Sequence, residues 1–406
     1  MCQISRSMIS TTGTGYESLN KYVLRRITKL VEANPDGDME GALQELYTKY
    51  SRKRPNVTDD HRVKRAHARI ETRRTVPESV PSGPRNHDST PLSFHPQRPF
   101  ENGYVTIGSP VSPRVLELLQ LEEEHSSSEL SEAVLYLFAT QKPLAVNITA
   151  AVVPLGDDIV IKTGYHVSLD ELHMLQFLHT HEPTISAPRV HGHITIGPVS
   201  CLFMTRLPGN TLKSIWPTMT VSQKLAVQSS LNDMFITLRS VPWTDTCRAD
   251  MSNTGFLGSL SPHPVCKDMR RTLRESKSPI RNEADFNEFI GTDEQSMKHT
   301  SPRYRSWVLS MLRSDHRIVL THGDFHPNNV IVDVRVEDGH EKITVGIIDW
   351  ETGGFYPEYW EYVKAMNLRT VKDDSDWWDF LPRSIVDYEQ EIAIDRLLER
   401  SVLYGV

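Results

Sequence analysis

Cysteine is scarce and scattered in this chain: Cys2, Cys201, Cys247 and Cys266 stand far apart among 406 residues, with no Cys-x-x-Cys pair. That excludes a disulfide-stapled framework and a zinc ribbon, and it fits a reducing compartment. No run is long and apolar enough to span a bilayer. The opening MCQISRSMISTTGTGY lacks the apolar core of a secretory leader. An overall basic excess is missing too. The formal net charge is −7, which gives no general attraction to nucleic acid. The expectation is a cytoplasmic protein, with neither a membrane nor a nucleic acid among its partners.

What is present divides the chain unevenly. Its length suggests two or three units. SLNKYVLRRITKLVEA and MEGALQELYTKY have helical spacing, and residues 51–75 carry nine Lys/Arg against three Asp/Glu. A basic run of this kind is usually a solvated tail, although it is a weak pointer to nucleic acid. Residues 76–115 are rich in Pro, Ser, Gly and Asn with little periodicity, as expected of loosely ordered chain. From about residue 113 the pattern becomes globular. TAAVVPLG and DDIVIKTG read as strands joined by a turn at Gly156-Asp157-Asp158, and VSCLFMTRL reads as another strand. Leu172, Leu175 and Leu178 fall at helical spacing, as do Val227, Leu231, Met234 and Leu238. RIVLTHGD, NNVIVD and ITVGIIDW are three further short strands, and the tail from Tyr359 reads as helices. This order suggests an α+β protein of two lobes.

The chemistry-bearing residues lie where these strands meet loops. In THGDFHPNNVIVD, Asp324 precedes Asn329 by five positions, and an apolar strand follows. If the loop folds back on that strand, both side chains face one cavity. The carboxylate can then accept or orient a hydroxyl proton, and the amide oxygen can coordinate a hard cation. In VGIIDWE, Asp349 ends a buried strand, where an ionised carboxylate needs a partner or a metal. Asp324, Asn329 and Asp349 together make a plausible all-oxygen Mg²⁺ site. Upstream, Lys162 ends DDIVIK and needs a counter-charge, for which Glu171 on the next helix is the candidate. Such a pair would hold the ammonium ready for nucleotide phosphates. Taken singly, each of these residues is as well explained by a turn cap or a surface charge.

The stretches HGDFHPNN, GIIDWETGGFYPEYWEYVKA, FMTRLPGNTL, ADFNEFI and PRVHG resemble the aminoglycoside phosphotransferase family, in particular its large fungal branch, within the protein-kinase-like superfamily. The resemblance covers roughly residues 140–370. It implies a two-lobed protein-kinase-like fold: a small β-rich N-lobe over 113–205, and a mainly helical C-lobe over 206–406. A substrate-capping insertion would lie near 267–300, and a poorly ordered extension over 1–112. It also implies an ATP- and Mg²⁺-dependent small-molecule kinase that transfers the γ-phosphate to an alcohol group. Asp324 would be the catalytic carboxylate, and Asn329 and Asp349 would hold Mg²⁺. Lys162, paired with Glu171, would contact the α- and β-phosphates. The hinge Met204-Thr205-Arg206 would meet adenine through its backbone. His322 would brace the loop.

Two departures from the protein-kinase pattern matter. The stretch before Lys162, ATQKPLAVNITAA, has no glycine where a Gly-x-Gly-x-x-Gly loop would stand. Trp350 follows Asp349 where protein kinases have Phe-Gly, and no Ala-Pro-Glu element is present. The second departure favours a small molecule over a protein acceptor. The first keeps open a catalytically inactive kinase-like binding or scaffold protein. HTH and HGH could suggest metal ligands, but packed or exposed histidines at a helix end and a turn are the expectation. KDDSDWWDF could form an anionic, aromatic wall for a cationic substrate; more often such a run is a solvated face with buried tryptophans.

Overall fold

The computed structural model describes residues 104–147, 150–165, 167–243, 255–270, 274–291 and 300–403. The expected helices before residue 50 and the basic run 51–75 lie outside them, as does most of the proline-rich stretch 76–115.

The first part of the described chain builds one antiparallel sheet. Its strands are β1 (Val105–Ser109), β2 (Ala145–Val146), β3 (Ala150–Leu155), β4 (Ile159–Gly164), β5 (Val190–Ile196) and β6 (Val199–Thr205), in spatial order β1-β5-β6-β4-β3-β2. Helices α1 (Pro113–Leu118) and α2 (Ser127–Thr140) cover one face, and α3 (Leu169–His181) covers the other. Burial on both faces explains why β4 and β6 read as nearly unbroken apolar runs instead of alternating ones. Gly156 makes the β3–β4 turn at φ +67°, a conformation that suits glycine. The start of α2 is fixed by a capping box between Ser126 and Glu129. Ser168 caps α3, with Asp170 and Glu171 in its first turn, where acidic groups suit the helix dipole. The HGH histidines lie in strand β5 and not in a turn: His193 Nε2 meets Ser200 Oγ at 2.7 Å, and His191 Nε2 meets Thr205 Oγ1 at 3.1 Å.

The second part is mainly helical. After β7 (Asn210–Thr211) and the short α4 (Leu212–Ile215) comes α5 (Val221–Ser240). Phe235, and not Met234, completes the buried stripe of Val227, Leu231 and Leu238 on α5. The hairpin β8 (Lys267–Asp268) and β9 (Arg274–Glu275) and helices α6 (Glu283–Gly291) and α7 (Pro302–Leu309) precede β10 (Ile318–Thr321). Strands β11 (Val330–Glu337) and β12 (His340–Ile347) pair residue for residue and add β7 at one edge, while β13 (Gly354–Pro357) pairs with β10. Helices α8 (Trp360–Leu368) and α9 (Glu389–Leu403) follow. The stretch 267–300 is therefore not irregular throughout: α6 buries Phe286 and Ile290 against Tyr356 and Trp360. The whole is a two-lobed α+β arrangement with a β-rich N-terminal lobe and a mainly helical C-terminal lobe. Among the described residues no helix is long and apolar enough to cross a membrane.

Candidate active site

Strand register sets the site. Lys162 sits on β4 opposite Leu202 of β6, on the face that α3 covers. Its Nζ reaches Glu171 Oε2 at 2.7 Å, Asp349 Oδ1 at 2.6 Å and Glu351 Oε2 at 3.0 Å. Three carboxylates thus surround one ammonium. Burial works against charge on Lys162, but the three acids overcome it and hold its pKa well above the ordinary lysine value. Glu171, the most buried of the three, has its pKa raised by desolvation, with Lys162 opposing the shift. Its second oxygen accepts the Trp350 backbone N–H at 3.3 Å, which ties α3 to the loop after β12.

That loop is strained at one position. Asp349 adopts φ +68°, a left-handed conformation uncommon for a non-glycine residue and concentrated at functional sites. The pairing of β11 with β12 carries Asp349 beside Asn329: the Ile348 N–H donates to Asn329 O at 2.9 Å. Asn329 Nδ2 in turn donates to Asp324 O at 3.0 Å and to Asp324 Oδ2 at 3.1 Å. Asn329 therefore bonds Asp324 directly and meets the Asp349 loop through the Ile348 N–H, and Asp349 itself bonds Lys162.

The loop carrying Asp324 is held by buried groups. His322 donates from Nε2 to Ile348 O at 3.0 Å and accepts the Asp324 N–H on Nδ1 at 3.1 Å. Burial lowers its pKa to about 4, so it is a neutral brace stacked edge-on against Trp350. Gly323 turns the chain at φ +77°, where a Cβ would lie 2.7 Å from Thr352 O. Glu361 on α8 accepts the backbone N–H groups of His322 at 2.7 Å and Gly323 at 3.1 Å. Burial would raise the pKa of Asp324. His326, whose Nε2 lies 3.5 Å from Asp324 Oδ2, outweighs that together with the charge of Lys364, and the pKa settles at about 2.

Met204 lies inside β6 on the same sheet face as Lys162. The N–H of Arg206, an exposed residue, is already taken by Asp158 O at 2.8 Å, and that of Thr205 by Arg189 O at 2.9 Å. The pair Met204 and Arg206 stands at the end of the strand, outside the acidic cluster. Two contributors were not picked out from the sequence. Glu351 is the third acid on Lys162; its signal is the DWE triplet, in which it follows Asp349 by two. Lys267 of β8 reaches Asp170 Oδ2 at 2.6 Å and Glu351 O at 3.0 Å, so the hairpin is pinned to α3 and to the Asp349 loop. Nothing in its local pattern signals that.

The oxygen donors of Asp349 and Asn329 suit a divalent cation, whereas the space between Glu171, Asp349 and Glu351 is taken by the Lys162 ammonium. Carboxylate oxygens of Glu171, Asp349 and Glu351 lie within 4.8 Å of one another, and a single lysine leaves their charge in excess. Asn329 commits its amide N–H₂ to Asp324, so the amide oxygen remains for a hard cation. Among the described residues no histidine joins a comparable cluster. Beside the loop a cavity of about 520 Å³ is walled by Trp216, Trp377 and Trp378 and floored by His326 and Asn328. Two of the four acids of KDDSDWWDF are already bonded there. Asp373 accepts from Trp378 Nε1 at 2.9 Å, and Asp376 accepts from Trp216 Nε1 and Lys224 Nζ, each at 2.6 Å.

Residues 166–379, more than half of the chain, match the family described as the phosphotransferase enzyme family, APH. Similar solved structures include an aminoglycoside phosphotransferase, APH(2'')-Ib, with ADP; it is 14% identical over 64% of this chain and 80% of its own, with a TM-score of 0.40. A second is APH(4)-Ia in a ternary complex with ADP and hygromycin B, 14% identical over 73% of this chain and 95% of its own, with a TM-score of 0.42. A third is the streptomycin-ATP complex of APH(2'')-IIa, at 12%, 68% and 87%, with a TM-score of 0.41. No curated protein matches the chain. On the family match, the chain belongs to the APH phosphotransferase enzyme family.

Proposed function

We propose that the protein is a kinase that moves the γ-phosphoryl group of ATP onto a hydroxyl of a small molecule. The single observation that supports this best is the meeting of Lys162 and Glu171 with Asp349, which lies 187 positions from Lys162 and next to Ile348, whose N–H is bonded to Asn329 O. A merely structural ion pair needs one acid; this ammonium has three.

Lys162, oriented by Glu171, would contact the α- and β-phosphates. Asn329 and Asp349 would hold Mg²⁺, with Glu351 within reach of the same ion; bound there, the ion would neutralise charge on the phosphates. Asp324 would accept the hydrogen bond of the acceptor hydroxyl and align its oxygen with the γ-phosphorus. The new O–P bond forms as the bridging β–γ P–O bond breaks, ADP leaves and the hydroxyl proton passes to solvent. Its low pKa suits Asp324 to orient the hydroxyl and to remain an anion while doing so. Adenine would meet backbone around Met204 and Arg206, and because the Arg206 N–H is already bonded, the free donor is expected one residue on, at Leu207. The acceptor would enter the tryptophan-walled cavity. The division near 205/206, the extension over 1–112, the cap near 267–300, the fungal branch and a cytoplasmic setting belong to the same reading.

The test is ATP consumption by the full chain against fractionated small metabolites, with mass detection of the phosphorylated product. A hydroxyl compound that gains phosphate only when Mg²⁺ and ATP are both present supports the reading. Absence of any Mg-ATP binding would favour the inactive binding protein instead. Phosphorylated peptides with untouched small molecules would favour a protein kinase.

A further inference from the structure

Among the described residues Lys364 has no hydrogen-bond or ion-pair partner. It lies on α8 and is 6% exposed. Buried lysines are normally paired, because an isolated ammonium is costly to take out of water. The acids that act on it are all committed elsewhere. Glu361, three residues earlier and on the same helix face, spends its oxygens on the N–H groups of His322 and Gly323. Asp268 is held by Arg270 and Arg274. Asp324 is held by Asn329 and His326.

Helix geometry fixes where the amine stands. Glu361, Lys364 and Leu368 follow one another at i+3 and i+4, so they share a face. At one end of that ridge Glu361 grips the loop that carries Asp324; at the other, Leu368 lines the tryptophan-walled cavity. Lys364 stands between the two. Desolvation lowers its pKa, against the pull of Asp324 and Asp268, which is the behaviour of a cation whose surroundings do not satisfy it.

We propose that Lys364 forms an oxyanion subsite beside Asp324 and takes a phosphate or carboxylate oxygen of a reactant. The proposal rests on the phosphotransferase reading above. The oxygen has two possible sources, the transferred γ-phosphoryl group or an anionic group on the acceptor. Both place Lys364 in contact with a reactant, and neither is served by an uncharged side chain of the same length.

The experiment compares the full-length wild type with Lys364→Met and Lys364→Arg. Calorimetry would follow binding of Mg-ADP, of Mg-AMP-PNP, and of acetate to the Mg-AMP-PNP complex, with a melting temperature for each protein. Lys364→Met is expected to melt at or above the wild-type temperature, since it removes an unpaired buried charge. If the γ-phosphoryl group is the source, Lys364→Met loses at least about tenfold in affinity for Mg-AMP-PNP and keeps that for Mg-ADP. If the acceptor is the source, both nucleotides bind as before and acetate binding is lost, while Lys364→Arg retains it. Unchanged binding in every arm overturns the subsite, as does a lower melting temperature with a parallel loss of all ligands. A wild type that binds no Mg-nucleotide overturns the phosphotransferase reading itself, and the subsite with it.

Discussion

Lys162 Nζ lies 2.6 Å from Asp349 Oδ1, although the two residues are 187 positions apart. Nothing local connects them. β4 carries one, the loop after β12 carries the other, and Glu171 anchors both, one oxygen on the ammonium and the other on the Trp350 N–H. Lobe, helix and loop are thereby keyed to a single ammonium.

That keying can be tested at Glu171. Glu171→Gln keeps the shape and removes the charge, so Lys162 loses its most buried partner. Mg-ATP affinity is expected to fall by about tenfold, or about 1.4 kcal/mol. Asp349→Ala is expected to fall further, because it removes a partner of Lys162 and, on the proposed reading, a metal ligand as well. Calorimetric titration with Mg-ATP ranks the two; an affinity that survives Asp349→Ala contradicts the role given to that residue.

Gly323→Ala asks whether the turn before Asp324 needs glycine. An alanine there meets φ +77° and a carbonyl oxygen 2.7 Å from its Cβ. The left-handed conformation alone costs about 1–2 kcal/mol, and displacing Thr352 adds to it. Chemical denaturation is expected to show a loss of at least about 2 kcal/mol. A variant as stable as wild type would mean that the turn tolerates a side chain.

Glu361 makes stability depend on pH. Burial pushes its carboxyl up to about 7, against the pull of the Gly323 and His322 N–H groups. A raised pKa in the folded protein means that its contribution is fully present below the ordinary value and is lost as pH climbs through about 7. Across the window from 4.5 to about 7, at about 1.4 kcal/mol per pKa unit, that is roughly 3 kcal/mol at most. Glu361→Gln removes this titration. The variant's melting temperature relative to wild type is expected to rise between pH 5 and pH 8. A difference that is flat with pH would show that Glu361 stays ionised in the folded protein.

The residues legible in the sequence were those whose chemistry conflicts with their neighbours. Asp324, Asn329 and Asp349 each border an apolar strand, where a carboxylate or amide is out of place unless it is used. Lys162 lies in such a strand and Glu171 in the first turn of the next helix, so the sequence offered their pairing as a candidate only. Glu351 and Lys364 stayed hidden for the opposite reason. Glu351 follows Trp350 and Lys364 follows Val363, each in a mixed segment, and only the tertiary arrangement decides which neighbour it meets. Lys267 is a third such case, reaching Asp170 from a hairpin that no local pattern aims there. At the hinge, hydrogen-bond accounting made the difference: β6 was readable, but the use of the Arg206 N–H by Asp158 O was not. On α5 the helical stripe was clear, while the choice between adjacent Met234 and Phe235 depended on Phe325, whose ring meets Phe235 at 4.8 Å.

The most direct measurement is phosphate transfer by Asp324→Ala beside wild type, with Mg-ATP affinity recorded for both. The account predicts that turnover on an accepted hydroxyl compound falls about 10²- to 10⁴-fold while Mg-ATP binds within about twofold of wild type. Equal turnover in the two proteins would contradict it.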